Sequence, residues 1–164
     1  MSVTVSILIG SESDLDLANK CSDTLDSLSI SNSIQVLSAH RTPALLETHI
    51  RECEAGGTKV FIAMAGLAAH LAGAVASKTV LPVIGVPGDG GPLSGMDALL
   101  STVQMPKGIP VATVAIGSAG AINSAYLAAQ MLGIESESTR ASLLQVREDG
   151  VEAIKESNKK LADS

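Results

Sequence analysis

The chain has 164 residues, a formal charge of -6 and a pI near 4.9. That is enough for one domain with a sizeable core, and too acidic for nucleic acid or an anionic membrane as partner, since both reward basic surfaces. Hydrophobic residues make up 46% and aromatic residues 1%, with no tryptophan, so the core has to be built from Ala, Val, Ile and Leu.

Val3 to Ile9 alternates and then runs apolar, which predicts a first, buried strand. The segment from Met1 lacks the basic start and apolar run of a secretory signal, which favours a cytoplasmic protein. Gly10-Ser11-Glu12-Ser13-Asp14 follows as a turn, and Leu15, Ala18, Cys21, Leu25 and Leu28 then recur as the stripe of an amphipathic helix. Ser33 to Leu37 reads as the second strand. Pro43 to Ala55 is the second helix, with Thr42 as its cap and Gly56-Gly57 at its end. Cys21 and Cys53 fall inside these helical patterns without a metal-site spacing, and are expected to be buried, reduced thiols.

Lys59 to Ala63 is the third strand, Gly66 to Ser77 an Ala-rich helical stretch, and Val80 to Val86 a fourth strand ending at Pro87. Gly88 to Gly95 holds four glycines and a proline, the composition of a mobile surface loop. Met96 to Val103 reads as a short helix, Val111 to Ile116 as the fifth strand and Ala121 to Leu132 as its helix. Residues 108 to 134 carry no charge and match a bilayer in length, but Pro110, Gly117, Gly120 and Asn123 divide the run into that strand and helix. Five alternations of strand and helix imply a parallel sheet covered on both faces, a three-layer αβα domain spanning residues 1–164. From Glu135 onward charges are dense while Leu143, Leu144, Val151, Ile154 and Leu161 keep a helical stripe, weakened at Gly150. This C-terminal helix must lay its apolar side on something, its own subunit or a neighbour.

Between Val60 and Ile134 the only formal charges are Lys78, Asp89, Asp97 and Lys107. Four charges cannot cover the outside of a small monomer, so a homo-oligomer is expected.

The chemistry concentrates in turns that follow strands, where open α/β sheets bind ligands. Ser11, Ser13 and Asp14 stand at the start of the first helix, whose free N–H groups attract an anion such as a ribose phosphate; ordinary capping explains the same residues. Ser38-Ala39-His40-Arg41-Thr42-Pro43 puts a ring that titrates near neutrality beside a fixed cation able to grip phosphate with two donors. A turn histidine and a capping arginine are the plainer alternative. Gly66-Leu67-Ala68-Ala69-His70-Leu71 allows close backbone approach to a ligand, with His70 in a structural or supporting role. His49, near Glu47 and Arg51, reads as an exposed helix residue.

In order along the chain, Gly10-Ser-x-Ser-Asp14, Ser38-Ala-His-Arg-Thr-Pro43, Ala65-Gly-x-Ala-Ala-His-Leu71, Leu93-Ser-Gly-x-Asp97 and Val103-Gln-Met-Pro-x-Gly-Ile-Pro110 resemble the motifs of the N5-carboxyaminoimidazole ribonucleotide mutases. The resemblance implies a flavodoxin-like fold and an isomerase of purine biosynthesis that moves a carboxylate from an exocyclic nitrogen to carbon 4 of an aminoimidazole ribonucleotide. It also implies no metal or organic cofactor, and an octamer whose sites borrow from neighbours. His40 would be the acid and base. Ser11, Ser13, Asp14, Ser38, Arg41, Gly66, Ala68, His70 and Leu71 would bind the ribonucleotide.

The aminoimidazole ribonucleotide carboxylases of the same family, which take free CO2, typically have lysine in place of Arg41 and lack the Ala-Ala-His-Leu run. Ala72, where the mutases usually have proline, and the glycine-rich Gly88 to Pro92 depart from the mutase pattern. The non-enzymatic alternative is a flavodoxin-like mononucleotide module. A phosphorylated receiver would need an aspartate after strand three, where Met64-Ala65-Gly66 stands, and a flavin carrier would need stacking aromatics, of which there are only Phe61 and Tyr126.

Overall fold

β1, Val5–Ile9, is the strand on which the sheet is built: all five of its residues are buried, and it pairs in parallel on both sides. The computed structural model describes residues 3–162. Met1, Ser2, Asp163 and Ser164, the outermost ends of the expected domain, lie outside them. The elements then run α1 Leu15–Ser27, β2 Asn32–Val36, α2 Pro43–Gly56, β3 Val60–Ala65, α3 Leu71–Ala76, β4 Val83–Pro87, α4 Met96–Val103, β5 Ala112–Thr113, α5 Gly117–Leu132 and α6 Glu137–Ala162. The sheet order is β2-β1-β3-β4-β5, all parallel. Order and helical cover make the fold flavodoxin-like.

The two faces separate by the strand period of two. Val5, Ile7 and Ile9 of β1, with Val60, Ile62 and Met64 of β3, pack under α1 and α5. Leu8, Phe61 and Ala63 point the other way, onto Leu46 and Ile50 of α2 and Leu71 and Val75 of α3. Each aliphatic side chain buried this way contributes about 1.5–3 kcal/mol. Ala121, Ala125, Ala128 and Ala129 let α5 sit close to the sheet, which is how so aromatic-poor a chain still closes its core.

Several boundaries differ from the sequence reading. α3 starts at Leu71, not Gly66, because β3 runs on to Ala65 and Leu67 turns left-handed, φ 53°. β4 starts at Val83, since Thr79 Oγ1 accepts the Leu81 N–H in a turn and leaves Val80 fully exposed. β5 is two residues long, with one further bond from Val114 N–H to the Gly85 carbonyl, and α5 takes up Gly117 to Gly120. Thr42 stands at the cap position of α2 without capping it: its Oγ1 donates to the Ser38 carbonyl at 3.1 Å and accepts from Ser38 N–H at 3.0 Å. α6 passes through Gly150 unbroken. Leu143 and Val146 pack on the core, whereas Leu144, Val151, Ile154 and Leu161 are exposed.

Two side chains differ from what their spacing predicts. His49 is half-buried, with its Nε2 3.1 Å from Ser6 Oγ and 3.2 Å from Cys53 Sγ, because it stands two residues from both Glu47 and Arg51, about 200° around the helix from each. Cys53 is partly exposed; only Cys21 is buried.

Gly85 in β4 has no room for a side chain: a Cβ would lie 2.4 Å from Thr102 Cγ2 and 2.8 Å from Val111 Cγ1. Gly85→Ala is expected to cost about 1–3 kcal/mol by overpacking, read as a lower urea midpoint at unchanged slope.

Candidate active site

Three strand ends meet because Ile9 lies between Val36 and Met64 in the sheet. The turns that follow are tied together by Leu37 N–H donating to the Ile9 carbonyl (2.9 Å) and Gly10 N–H to the Met64 carbonyl (3.2 Å). Arg41 bridges two of them. Its terminal nitrogen donates to the Gly10 carbonyl at 3.0 Å, while its Nε reaches Ser38 Oγ at 3.4 Å and its backbone N–H the same oxygen at 3.2 Å. A guanidinium has five donors in a fixed plane, so this anchoring leaves others for a ligand.

His40 comes from the β2 turn and His70 from the turn before α3, yet His40 Nε2 is 2.6 Å from His70 Nδ1, with the rings edge to face at 4.8 Å. Two ring nitrogens at that distance share one proton, one donating and the other accepting. His70 therefore fixes which nitrogen of His40 is committed, and leaves His40 Nδ1 as the nitrogen able to face a substrate. Both rings are exposed in the single chain.

On the other side of Arg41, Glu12–Asp14 forms a single 3-10 turn leading into α1. Ser11 Oγ is 2.6 Å from Ser13 Oγ and donates to Asp14 Oδ2 at 3.4 Å. Burial pushes the Asp14 carboxyl above its usual range, opposed by side-chain and backbone hydrogen bonds from Ser11. No side chain in this turn caps the helix, so the plain capping explanation of these residues does not account for them.

Gly66 forms the floor. A Cβ on Gly88 would lie 3.1 Å from the Gly66 nitrogen, so the ends of β3 and β4 touch backbone to backbone. Ala68 is exposed beside them, and its carbonyl accepts the His70 N–H at 2.7 Å. Leu71 is 2% exposed, and its side chain belongs to the core under α2 and α3. The Gly88–Gly95 segment folds against Leu67 and the start of α5, where a Cβ on Gly91 would meet Leu67 Cδ2 at 2.5 Å and one on Gly117 would meet Asp89 Oδ2 at 2.8 Å.

The direct His40–His70 contact and the Gly10 carbonyl as acceptor for Arg41 were not legible in the sequence; both require the strand order. An open groove of about 590 Å³, lined by residues including Lys78, Val80 and Pro110, lies at the opposite end of the sheet. It contains none of the site residues. The chemistry of the strand ends identifies the site better than the size of that groove.

A protein-family model described as AIR carboxylase matches residues 4–153. The N5-carboxyaminoimidazole ribonucleotide mutase of Pseudomonas aeruginosa is 49% identical over 154 residues, 94% of each chain. That of Bacillus subtilis is 46% identical over 161 residues, 98% of this chain and 99% of the relative. The crystal structure of Treponema denticola PurE superposes with a TM-score of 0.87 at 30% identity, covering 96% of this chain and 97% of that one.

The raised Asp14 carboxyl fixes the sign of a pH effect. The folded chain holds the Asp14 proton more tightly than the unfolded chain, so the penalty for ionising it is absent below the unfolded value near 3.8 and complete above the folded one. Asp14→Asn in the ligand-free protein should raise the melting temperature at pH 7 and leave it unchanged near pH 3.

Proposed function

The chain belongs to the AIR carboxylase family, and from that premise we propose that it is an isomerase of purine biosynthesis converting N5-carboxyaminoimidazole ribonucleotide into 4-carboxy-5-aminoimidazole ribonucleotide. The observation that carries the proposal is the meeting of a proton-sharing histidine pair, 2.6 Å apart, with an arginine and a serine-rich turn at the carboxyl ends of β1, β2 and β3.

In this reading Arg41, Ser11 and Ser13 hold the ribose phosphate, and Asp14 accepts from ribose hydroxyls. Ser38 keeps Arg41 in place, and the backbone around Gly66, Ala68 and Leu71 lies along the base. Proton transfer then balances within one ring. His40 gives a proton to the exocyclic nitrogen as the N–C bond breaks and CO2 leaves; ring carbon 4 attacks the retained CO2; His40 takes the carbon 4 proton and is restored. A positioned acid and base of this kind accounts for about 10²–10⁴ in rate. The steps use no metal or organic cofactor.

Retaining CO2 requires that water be kept out, while His40 and His70 are exposed in the isolated chain. Other subunits supply the missing wall. The charge-poor surface, with Val80, Leu93, Leu100 and Val103 exposed on it, supports a homo-oligomer, an octamer by family resemblance, in the cytoplasm.

Carboxylation of aminoimidazole ribonucleotide by free CO2 is the neighbouring activity. At low bicarbonate the protein should convert N5-carboxyaminoimidazole ribonucleotide and leave aminoimidazole ribonucleotide unchanged. Conversion of only the second compound, on adding bicarbonate, would assign the carboxylase reaction instead.

A further inference from the structure

Leu67 holds a backbone that leucine rarely adopts. Among the described residues three non-glycine side chains have positive φ, Ser29 at 58°, Leu67 at 53° and Ser94 at 50°, and Leu67 is the only bulky one. A bulky left-handed residue is an outlier that persists only where its surroundings over-determine it, so the contacts that hold Leu67 identify what it does. They lie on two sides.

On the backbone side, the Leu67 carbonyl accepts the Ala69 N–H at 2.9 Å and the Ala68 carbonyl accepts the His70 N–H at 2.7 Å. These two consecutive three-residue turns wind the chain from the end of β3 into α3, and at their end His70 Nδ1 stands 2.6 Å from His40 Nε2. An ordinary strand or helix conformation at Leu67 would redirect the chain just before His70. On the side-chain side, Leu67 Cδ2 takes the space in which a side chain on residue 91 would begin, 2.5 Å from the Cβ position of Gly91. Gly91 is itself left-handed, φ 89°, and its carbonyl accepts the Ser94 N–H at 3.3 Å. The loop that carries Gly91 is closed at its base: Gly88 N–H donates to the Ala65 carbonyl at 2.8 Å, and a Cβ on Gly95 would meet the Gly88 carbonyl oxygen at 2.7 Å. Its base therefore rests on Ala65 and its middle on Leu67.

We propose that Leu67 is a positioning residue for proton transfer: its left-handed turn sets His70 against His40, and its side chain on Gly91 makes that setting depend on the 88–95 loop. Leu67 acts through His70 and exchanges no proton itself. Its part in turnover rests on the function proposed above, whereas the coupling of the two segments stands on the contacts alone. Displacing either partner of the Leu67 and Gly91 contact releases both segments, whichever partner is changed.

The test compares Leu67→Gly, which permits the left-handed backbone and removes the side chain, with Gly91→Ala, which puts a Cβ where Leu67 Cδ2 lies. Hydrogen exchange of the intact, ligand-free protein, read by peptide mass spectrometry, should speed up at least about threefold in both 67–70 and 88–95 in each variant. In steady-state conversion of N5-carboxyaminoimidazole ribonucleotide, kcat should fall about tenfold while KM changes less than about threefold, the split expected when reacting groups are misplaced and binding is kept. Leu67→Met, which returns a side chain to Gly91, should recover most of the lost kcat. The proposal is overturned if Leu67→Gly speeds exchange in 67–70 alone, if Gly91→Ala leaves 67–70 as in the wild type, or if kcat holds while both segments loosen. Gly91→Ala decides the matter alone should Leu67→Gly fail to fold. A wild-type protein that does not convert the ribonucleotide would refute the proposed function instead, and the exchange measurements would still decide the coupling.

Discussion

Seating β1 between β2 and β3 is the constraint on which the rest of the molecule depends. With Ile9 level with Val36 and Met64, the three following turns start side by side, and Gly10, Ser38 to Arg41, and Gly66 to His70 are brought within reach of one another. The Arg41 bond to the Gly10 carbonyl and the His40–His70 bond, at 3.0 and 2.6 Å, are consequences of that register. A one-residue slip would turn every β1 side chain to the other face and drive the Ser6 hydroxyl into the layer where Val5, Ile7 and Ile9 pack. Because both sheet faces are buried, such a slip is strongly disfavoured, and the hydrophobic core and the site are fixed by the same pairing.

The elements whose identity depends on local chemistry were legible in the sequence. Pro43 and Gly57 mark the two ends of α2, Gly57 with φ 95°, and Met96–Val103 follows directly from the composition change after Gly95. Elements whose limits depend on tertiary partners were not. Gly66 to His70 is rich in small, helix-compatible residues, but the extension of β3 and the backbone contact with Gly88 turn it into the floor of the site. Thr42 has the right identity for a cap, but Ser38 offers its side chain both a donor and an acceptor, and that bond wins.

For the site, residue type was informative and pairing was not. His40 stands out because the chain has only three histidines, and Arg41, Ser11 and Asp14 because they stand in turns that follow strands. His70 gave no local signal of its contact with His40, since thirty residues separate them. His49 shows the converse. The charged Glu47 and Arg51 mark a solvated helix face, yet His49, two residues from each, lies on the opposite side of the helix, where its ring meets Ser6 and Cys53.

Electrostatically the site is a cation and two titratable rings set in an acidic protein, with one carboxyl, Asp14, partly withdrawn from water. The proposed mechanism rests on His40 carrying the proton both ways. Single-turnover conversion by His40→Asn, which keeps a hydrogen-bonding group opposite His70, tests it most directly. Turnover should fall about 10²–10⁴ with substrate binding retained; near-normal turnover would exclude His40 as the proton carrier.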